Sequence, residues 1–571
     1  MTGESIVIEQ ESSTTLHWKQ GEKKVPERED ACRTINKHPR SIINPDREFI
    51  IRQVIRRREA ILGKQGYLYT TTPTESSGRS PRDTYIVRDS ATEKNVDWSS
   101  PNNHALEKET FQRLWNDALN CLSRQEKLFI TDRAIGADPT YALSVRIVSD
   151  SALTSLFTLN MFRPVSTDFG QNALAGKQFL LLVLPHHKIE SSKYQGRLRL
   201  LPSGKTSDMA IAMDFENRLG LVYGSAYGGS VKKLMFTVMN YYLPFINVLP
   251  FHCSASENEK GETALFLGLS GTGKTSLSAD PKRSLLGDDE HGWSETGIAN
   301  FENGCYAKLI NLNPSKEPEI FRAVFHKDHC LKHGAIVENA MIFPDGTFDL
   351  SDDRLTPNSR ASFPLSFLRN IKESSRGHHP KTIIFLTADA NSVLPPISKL
   401  DKYQAMLWFL MGYTSKLAGT ETGIIDPVSI FSRFFGEPFM PLLPHYYARL
   451  LGDKLDQHPT SIFLLNTGWA GGPYGIGKRM DINLTKHLLY AALNGDLEHI
   501  PVTVDTLFHL QIPKNCPGIP AAFLNPNGSW TDKKAYERRA LQLAMEFSKH
   551  FDKSYGNSGI SREVRCQCPG K

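Results

Sequence analysis

Thr263-Ala-Leu-Phe-Leu-Gly-Leu-Ser-Gly-Thr-Gly-Lys-Thr-Ser276 decides the fold class. Its apolar first part, bounded by Gly261 and Gly268, reads as a buried strand. A glycine-rich turn follows and feeds a brief helix that Asp280-Pro281 ends. Such a strand, turn and helix start aim successive backbone N–H groups at one point, and the helix dipole adds to the attraction for phosphate. Gly268 to Thr275 fits G-x-x-x-x-G-K-[ST], in which Lys274 reaches the outer phosphates and the Thr275 hydroxyl a divalent metal.

Downstream, Ser284-Leu-Leu-Gly-Asp-Asp-Glu-His-Gly-Trp293 is an apolar run that ends in adjacent carboxylates. A carboxylate at a strand end shortly after a phosphate loop is the usual arrangement for holding the metal of a nucleotide. Upstream, His252-Cys-Ser254 follows the apolar stretch Phe245 to Phe251, where a single histidine reads first as a core residue. Gly224-Ser-Ala-Tyr-Gly-Gly-Ser-Val-Lys-Lys233 places a phenol and two lysines around a flexible turn, at the start of a helix running from Ser230 to about Tyr242. Cations are unfavourable near a helix N-terminus, so the lysines indicate an anion or a specific role, with one of the two expected to face solvent. Thr70 to Val87 is a loop rich in hydroxyls, Gly and Pro that carries Arg79 and Arg82 into a strand ending in Tyr85-Ile-Val87. Its guanidinium groups suit a small dianion; a salt-bridged surface loop is the other reading.

The rest of the chain bounds the function. With 571 residues there is room for two or more domains. A hydrophobic fraction of 40%, a charged fraction of 22% and a net charge of +6 suit a soluble protein with an anionic substrate, and call for neither nucleic acid nor membrane. No secretory signal is visible, and the longest strongly apolar run, Phe179 to Leu184, is too short to span a bilayer, so the expected compartment is cytoplasmic. Eight dispersed cysteines fit a reducing compartment, and Cys566-Gln-Cys568 reads as part of a loose polar tail. Residues 1–45 read as a polar extension, disordered or loosely docked, and Asp46 to Leu62 as the first helix, with Arg56-Arg-Arg58 on a solvated face. Between 130 and 250, apolar runs at Tyr141 to Val148, Phe179 to Leu184, Met209 to Met213 and Gly220 to Tyr223 predict an α/β domain with a mixed sheet.

Taken together, the chain from about 46 to 555 resembles the ATP-dependent phosphoenolpyruvate carboxykinases. The resemblance rests on Gly78-Arg-Ser-Pro-Arg-Asp83, Tyr227 to Lys233, Phe251 to Ser254, Gly268 to Ser276, Gly287 to Trp293, Phe385-Leu-Thr-Ala-Asp-Ala390 with Val393 to Leu400, and Asn466 to Arg479. It implies a two-domain α/β fold: an N-terminal mixed-sheet, substrate-binding domain over 46–250 and a C-terminal P-loop, nucleotide- and metal-binding domain over 251–555, with the active site in the cleft and a polar tail over 556–571. It implies conversion of oxaloacetate and ATP to phosphoenolpyruvate, ADP and CO2, with Mn2+ and Mg2+ as metals and no nucleic-acid or membrane partner; the protein could be a monomer or a homo-oligomer.

By the same resemblance Arg79 binds substrate carboxylate with Tyr227 beside it. Lys233, His252 and Asp289 are the Mn2+ ligands, Thr275 holds the Mg2+ of ATP, and Asp288 supports the metal shell. Gly268, Leu269, Ser270, Gly271, Thr272, Gly273, Lys274, Thr275 and Ser276 cradle the phosphates. Lys274 and Arg360 neutralise the transferring phosphoryl group, and Glu317, Arg479, Met480 and Thr485 contact the nucleotide. The chain departs from the family pattern at Ser230, Asn303, Asn391-Ser392 and Thr422, all on supporting loops. A catalytically weak relative with a regulatory role, or an unrelated P-loop kinase, are the competing readings.

Overall fold

Successive residues of the strand Phe179–Leu184 belong to two different hydrophobic clusters: Phe179, Leu181 and Val183 to one, Leu180, Leu182 and Leu184 to the other. Side chains of a strand point alternately to opposite faces, so an unbroken apolar run needs cover on both. Helices Pro26–Lys37 and Lys108–Ser123 cover one face, and Ala152–Met161 with Gly228–Tyr242 the other. The sheet they enclose has eight strands, in the order Ser41–Ile43, Leu128–Ile135, Leu143–Ser149, Phe179–Leu184, Leu219–Tyr223, Ala210–Asp214, Thr84–Arg88 and His104–Glu107. Parallel and antiparallel pairs are mixed, as the sequence predicts.

This computed structural model describes residues 26–166, 172–269, 271–278, 280–315, 317–325, 334–416, 428–556 and 558–571. Ser270 and Thr422 lie outside the described residues, as do residues 1–25 and the side chains of Thr275 and Ser276. Among the described residues no helix is long and apolar enough to cross a membrane.

A second, eleven-stranded sheet carries the glycine-rich turn. Thr263–Gly268 runs antiparallel to Leu249–Asn258 and parallel to Pro380–Thr387, which in turn runs parallel to Ser461–Asn466. Ala264 and Phe266 face one cluster, Leu265 and Leu267 the other, so the strand is held from both sides and its C-terminal end is a rigid base for the turn. A third sheet has five strands, in the order Gly304–Lys308, Arg360–Pro364, Ile336–Glu338, Leu68–Thr70 and Ile61–Leu62.

Three expectations need correction. The boundary at residue 45 is too late: Pro26–Lys37 buries Ala31 and Ile35 against the first sheet, and Ser41–Ile43 pairs with Leu128–Ile130. Its hydrophobic positions are too sparse among charges to announce a docked helix. The helix expected over Asp46 to Leu62 stops at Arg56, and Ile61–Leu62 instead turns back on Leu68–Thr70, which pairs with Ile336–Glu338. That pairing joins residues on both sides of the sequence boundary at 250. The tail over 556–571 is not loose: Val564 and Cys568 are fully buried against the main core.

Candidate active site

Four cationic or imidazole groups from three elements converge on one carboxylate. Asp289 Oδ2 lies 2.7 Å from both Lys232 Nζ and Lys233 Nζ; its Oδ1 lies 2.9 Å from His252 Nε2 and 3.1 Å from Lys274 Nζ. The lysine pair comes from the first turn and a half of Gly228–Tyr242, His252 from Leu249–Asn258, and Lys274 from the start of Lys274–Ser278. Asp289 precedes Glu290–Ser294, and the cross-strand register sets Glu290 opposite His252. Burial alone opposes ionisation of Asp289, but Lys232, Lys233, Lys274 and His252 outweigh it and hold its carboxyl well below the usual range.

Neither lysine faces solvent, contrary to the expectation for one of them. Lys232 is 3% exposed and bridges Asp289 and Glu302, at 2.7 and 2.9 Å. Burial disfavours its charge, and the surrounding carboxylates override that and keep it protonated. Lys233 Nζ lies 2.7 Å from both Asp289 and Glu290. Lys232, Glu290 and Glu302 are thus members of the cluster that sequence reasoning missed. The only signal was their adjacency to Lys233, Asp289 and the Glu302-Asn-Gly-Cys-Tyr306 segment.

His252 is set up as a nitrogen ligand. Its Nδ1 pairs with the carbonyl of Phe435 at 2.6 Å, which fixes the ring with Nε2 facing Asp289. Burial, with Lys274 nearby, pushes its pKa down to about 4, so the ring is neutral at physiological pH. Asp289, Glu290 and Glu302 also form a carboxylate group of metal-binding dimensions. Asp288 lies just behind, its backbone carbonyl accepting from Ser254 Oγ at 2.7 Å.

The turn before Lys274 depends on two glycines. Gly271 and Gly273 have φ of 87° and 93°, a backbone region that side chains with a Cβ disfavour. Thr272 braces the turn through its hydroxyl to the Leu269 carbonyl at 2.7 Å, and Thr467 Oγ1 donates to the Thr272 carbonyl at 3.1 Å. Gly268 has no room for a Cβ, which would meet Thr272 Oγ1 at 2.5 Å. Arg479 donates to the carbonyls of Gly271 and Thr467 and lies over the Trp469 ring. Met480 is tied by its N–H to the Gly468 carbonyl, and Thr485 is buried on Ile482–Leu493 with its hydroxyl on Asp481 O. Glu317 stands just before Pro318–Phe325, a helix packed on the sheet that carries Arg360.

Arg79 lies within electrostatic reach of Tyr227, Arg360 and Asp289. The Arg79 guanidinium lies over Phe439 at 4.5 Å, and Lys233 Nζ over the same ring at 4.6 Å, with both residues lining one pocket. Burial lowers the pKa of Arg79, and Tyr227, Arg360 and Asp289 all act on its charge, so these groups share one field. Arg360 begins Arg360–Pro364, with Nε on Asn358 Oδ1 at 3.0 Å and Nη1 on the Tyr306 carbonyl at 3.3 Å. Tyr306 packs against Tyr227, with ring centroids 5.6 Å apart.

Beneath Tyr306, the buried Glu338 accepts hydrogen bonds from Tyr306 Oη and the Gly228 N–H. Burial pushes its carboxyl up to about 7, against those hydrogen bonds and the charge of Arg360. The native state therefore keeps a proton that the unfolded chain releases near its ordinary pKa of about 4.3. This contribution to stability is full below about pH 4 and is lost as pH rises through 7. Urea melts across that window should give Glu338→Gln a flatter slope than the parent, by roughly 3 kcal/mol over the range. Equal slopes would show that Glu338 does not titrate there.

Among the described residues, the departures from the family pattern at Ser230, Asn303 and Asn391 are hydrogen-bonded locally. Ser230 Oγ pairs with Ser225 Oγ at 2.8 Å, and the Asn303 N–H donates to the Met161 carbonyl. Asn391 Nδ2 donates to Asp389 and to Tyr413 Oη, both at 2.9 Å. Ser392 takes φ of 60°, a left-handed conformation that costs a residue with a side chain on the order of 1 kcal/mol.

The chain is similar to known proteins along most of its length. A family model described as phosphoenolpyruvate carboxykinase matches residues 40–522. The phosphoenolpyruvate carboxykinase (ATP) of Caldanaerobacter subterraneus subsp. tengcongensis is 44% identical over 521 residues, covering 90% of this chain and 94% of that one. That of Geobacillus thermodenitrificans is 44% identical over 507 residues, 88% and 92% of the two chains. That of Bacillus subtilis is 43% identical over 512 residues, 89% and 93%.

Proposed function

The chain belongs to the ATP-dependent phosphoenolpyruvate carboxykinase family, and from that premise we propose how its own residues carry out the reaction. It is an enzyme, a carboxy-lyase that converts oxaloacetate and ATP to phosphoenolpyruvate, ADP and CO2, and it works with a divalent metal. The observation that carries the residue assignment is the convergence of Lys232, Lys233, Lys274 and His252 on Asp289, beside the glycine-rich turn.

Arg79, with the Tyr227 phenol beside it, holds the carboxylate of oxaloacetate in its planar fork of donors. Loss of CO2 leaves an enolate, whose oxygen must then meet the γ-phosphorus of ATP. Gly268 to Ser276 hold the phosphates, Lys274 and Arg360 neutralise charge on the transferring phosphoryl group, and Glu317, Arg479, Met480 and Thr485 bind the rest of the nucleotide. The neutral His252 Nε2, the Asp289 carboxylate and the Lys233 amine are a mixed nitrogen and oxygen set suited to Mn2+, with Asp288 behind it. Thr275 is assigned to the Mg2+ that travels with ATP. A divalent metal held by these residues would supply positive charge for the developing enolate. To join that set Lys233 must lose a proton and leave its ion pairs with Asp289 and Glu290.

In this reading the first sheet, whose strands run from Ser41 to Tyr223, forms a substrate-binding domain and the second, whose strands run from Leu249 to Pro513, a P-loop nucleotide-binding domain, and the two close over a cleft that excludes water from the enolate. The protein acts in the cytoplasm on small molecules, as a monomer or homo-oligomer, with no nucleic-acid or membrane partner. The regulatory-relative and unrelated-kinase readings are not favoured, because substrate, phosphate and metal groups are all present together.

Phosphoenolpyruvate formation from oxaloacetate by purified protein, with ATP or GTP and with Mg2+ alone or with added Mn2+, tests this. Activity should require ATP, rise with Mn2+ and disappear in Lys233→Ala. ATP binding without turnover under any metal condition would overturn the assignment of the cluster.

A further inference from the structure

The loop that carries Arg79 has a second cavity on its other side. Arg79, Ser80, Pro81, Thr84 and Asn102 line the substrate pocket; Arg82, Tyr85, Pro101, Asn103 and His104 line a separate cavity of about 620 Å³. The two spaces therefore share walls built from residues 79–85 and 101–104.

Four guanidinium groups line the second cavity. Arg88 is paired through two nitrogens with Glu93, Arg199 with Asp83 at 2.8 Å, and Arg197 with Thr110 Oγ1 at 3.0 Å and, at 3.4 Å, with Glu107. Arg82 makes no hydrogen bond or ion pair among the described residues. Three carboxylates thus face four guanidinium groups, with the His104 imidazole beside them. Apolar groups complete part of the wall: Trp98, whose ring lies 5.3 Å beneath the Arg88 guanidinium, and Leu200, 68% exposed, at the rim.

We infer that this cavity binds a small phosphate monoester with an apolar body, and that its occupancy is coupled to the substrate loop. Arg82, Arg197 and His104 approach from different segments, and the three oxygens of a phosphate monoester can meet donors from several directions. A carboxylate offers only two oxygens in one plane. The apolar body of the ligand covers Trp98 and Leu200. Because Pro81 and Arg82 are neighbours in one short 3-10 turn, Pro81–Asp83, a ligand that fixes Arg82 also restrains Arg79. Binding at this site is separate from the catalytic assignment; only its coupling to Arg79 rests on that reading.

The test is calorimetric titration of the full-length protein with phenyl phosphate, after Mg2+ and a non-hydrolysable ATP analogue have filled the phosphate loop. Phenyl phosphate should bind, inorganic phosphate and benzoate about tenfold more weakly, and Arg82→Ala and Arg197→Ala should each weaken phenyl phosphate about tenfold. Circular dichroism of both variants should match the parent, since both side chains lie at the surface. Bound phenyl phosphate should also shift the oxaloacetate KM of the parent but not of Arg82→Ala. No binding at millimolar concentrations, or binding equal in the parent and both variants, would overturn the inference. Benzoate binding as tightly as phenyl phosphate would overturn the phosphate assignment.

Discussion

Asp289→Asn should lower kcat on the order of 10³-fold, weaken Mn2+ binding, and destabilise the metal-free protein by roughly 3 kcal/mol at neutral pH. The substitution keeps shape and removes one charge, so its effect isolates the carboxylate. Three ammonium groups lose their shared counter-ion, and Lys232 cannot turn to solvent because it is almost fully buried. Glu302 and Glu290 still face Lys232 and Lys233, but Lys274 loses the only ion pair described for it. Breaking a buried ion pair on one side leaves an uncompensated charge, which costs more than the pair itself contributes. Turnover, urea melting and Mn2+ titration check the three effects separately. Turnover within tenfold of the parent would remove Asp289 from the centre of the site.

That central role was only half legible in the sequence. The local pattern at 263–278 carries its own signature, because an apolar strand, a glycine turn and a lysine are neighbours along the chain, and the structure retains them as such. The fate of Lys232 depends on partners that local periodicity cannot see. Lys232 and Lys233 are separated by only about 100° around one helix. What buries both is the approach of Asp289, Glu290 and Glu302 from segments distant in the sequence. Long-range strand pairing explains the fold errors in the same way. Nothing local tells Leu68–Thr70 that its parallel neighbour is Ile336–Glu338, whereas the FLLLVL run at 179–184 states its two-sided burial outright. At both ends of the chain a few apolar residues among many charges, such as Ala31, Ile35 and Val564, are enough to dock a helix that composition reads as loose.

Arg360→Ala should bind ATP with nearly the parent affinity yet lose about 10³-fold or more in kcat. Arg360 is held for a task rather than used up by the fold. Asn358 and the Tyr306 carbonyl take Nε and Nη1, and the guanidinium lies 5.7 Å from the Tyr306 ring, leaving Nη2 without a protein partner among the described residues. A cation fixed in this way costs little reorganisation when charge spreads over the transferring phosphoryl oxygens, which is where such a group acts most strongly. Arg360→Lys should recover only part of the rate, because an ammonium lacks the planar fork and cannot make both anchoring contacts while still reaching the phosphoryl group. Single-turnover rates beside equilibrium ATP binding separate these effects. Mn2+ affinity and urea midpoint provide the contrast: both should fall in Asp289→Asn and stay near the parent values in Arg360→Ala. A kcat for Arg360→Ala within tenfold of the parent, or a matching loss of Mn2+ affinity, would mean that Arg360 supports the site's structure rather than the phosphoryl step.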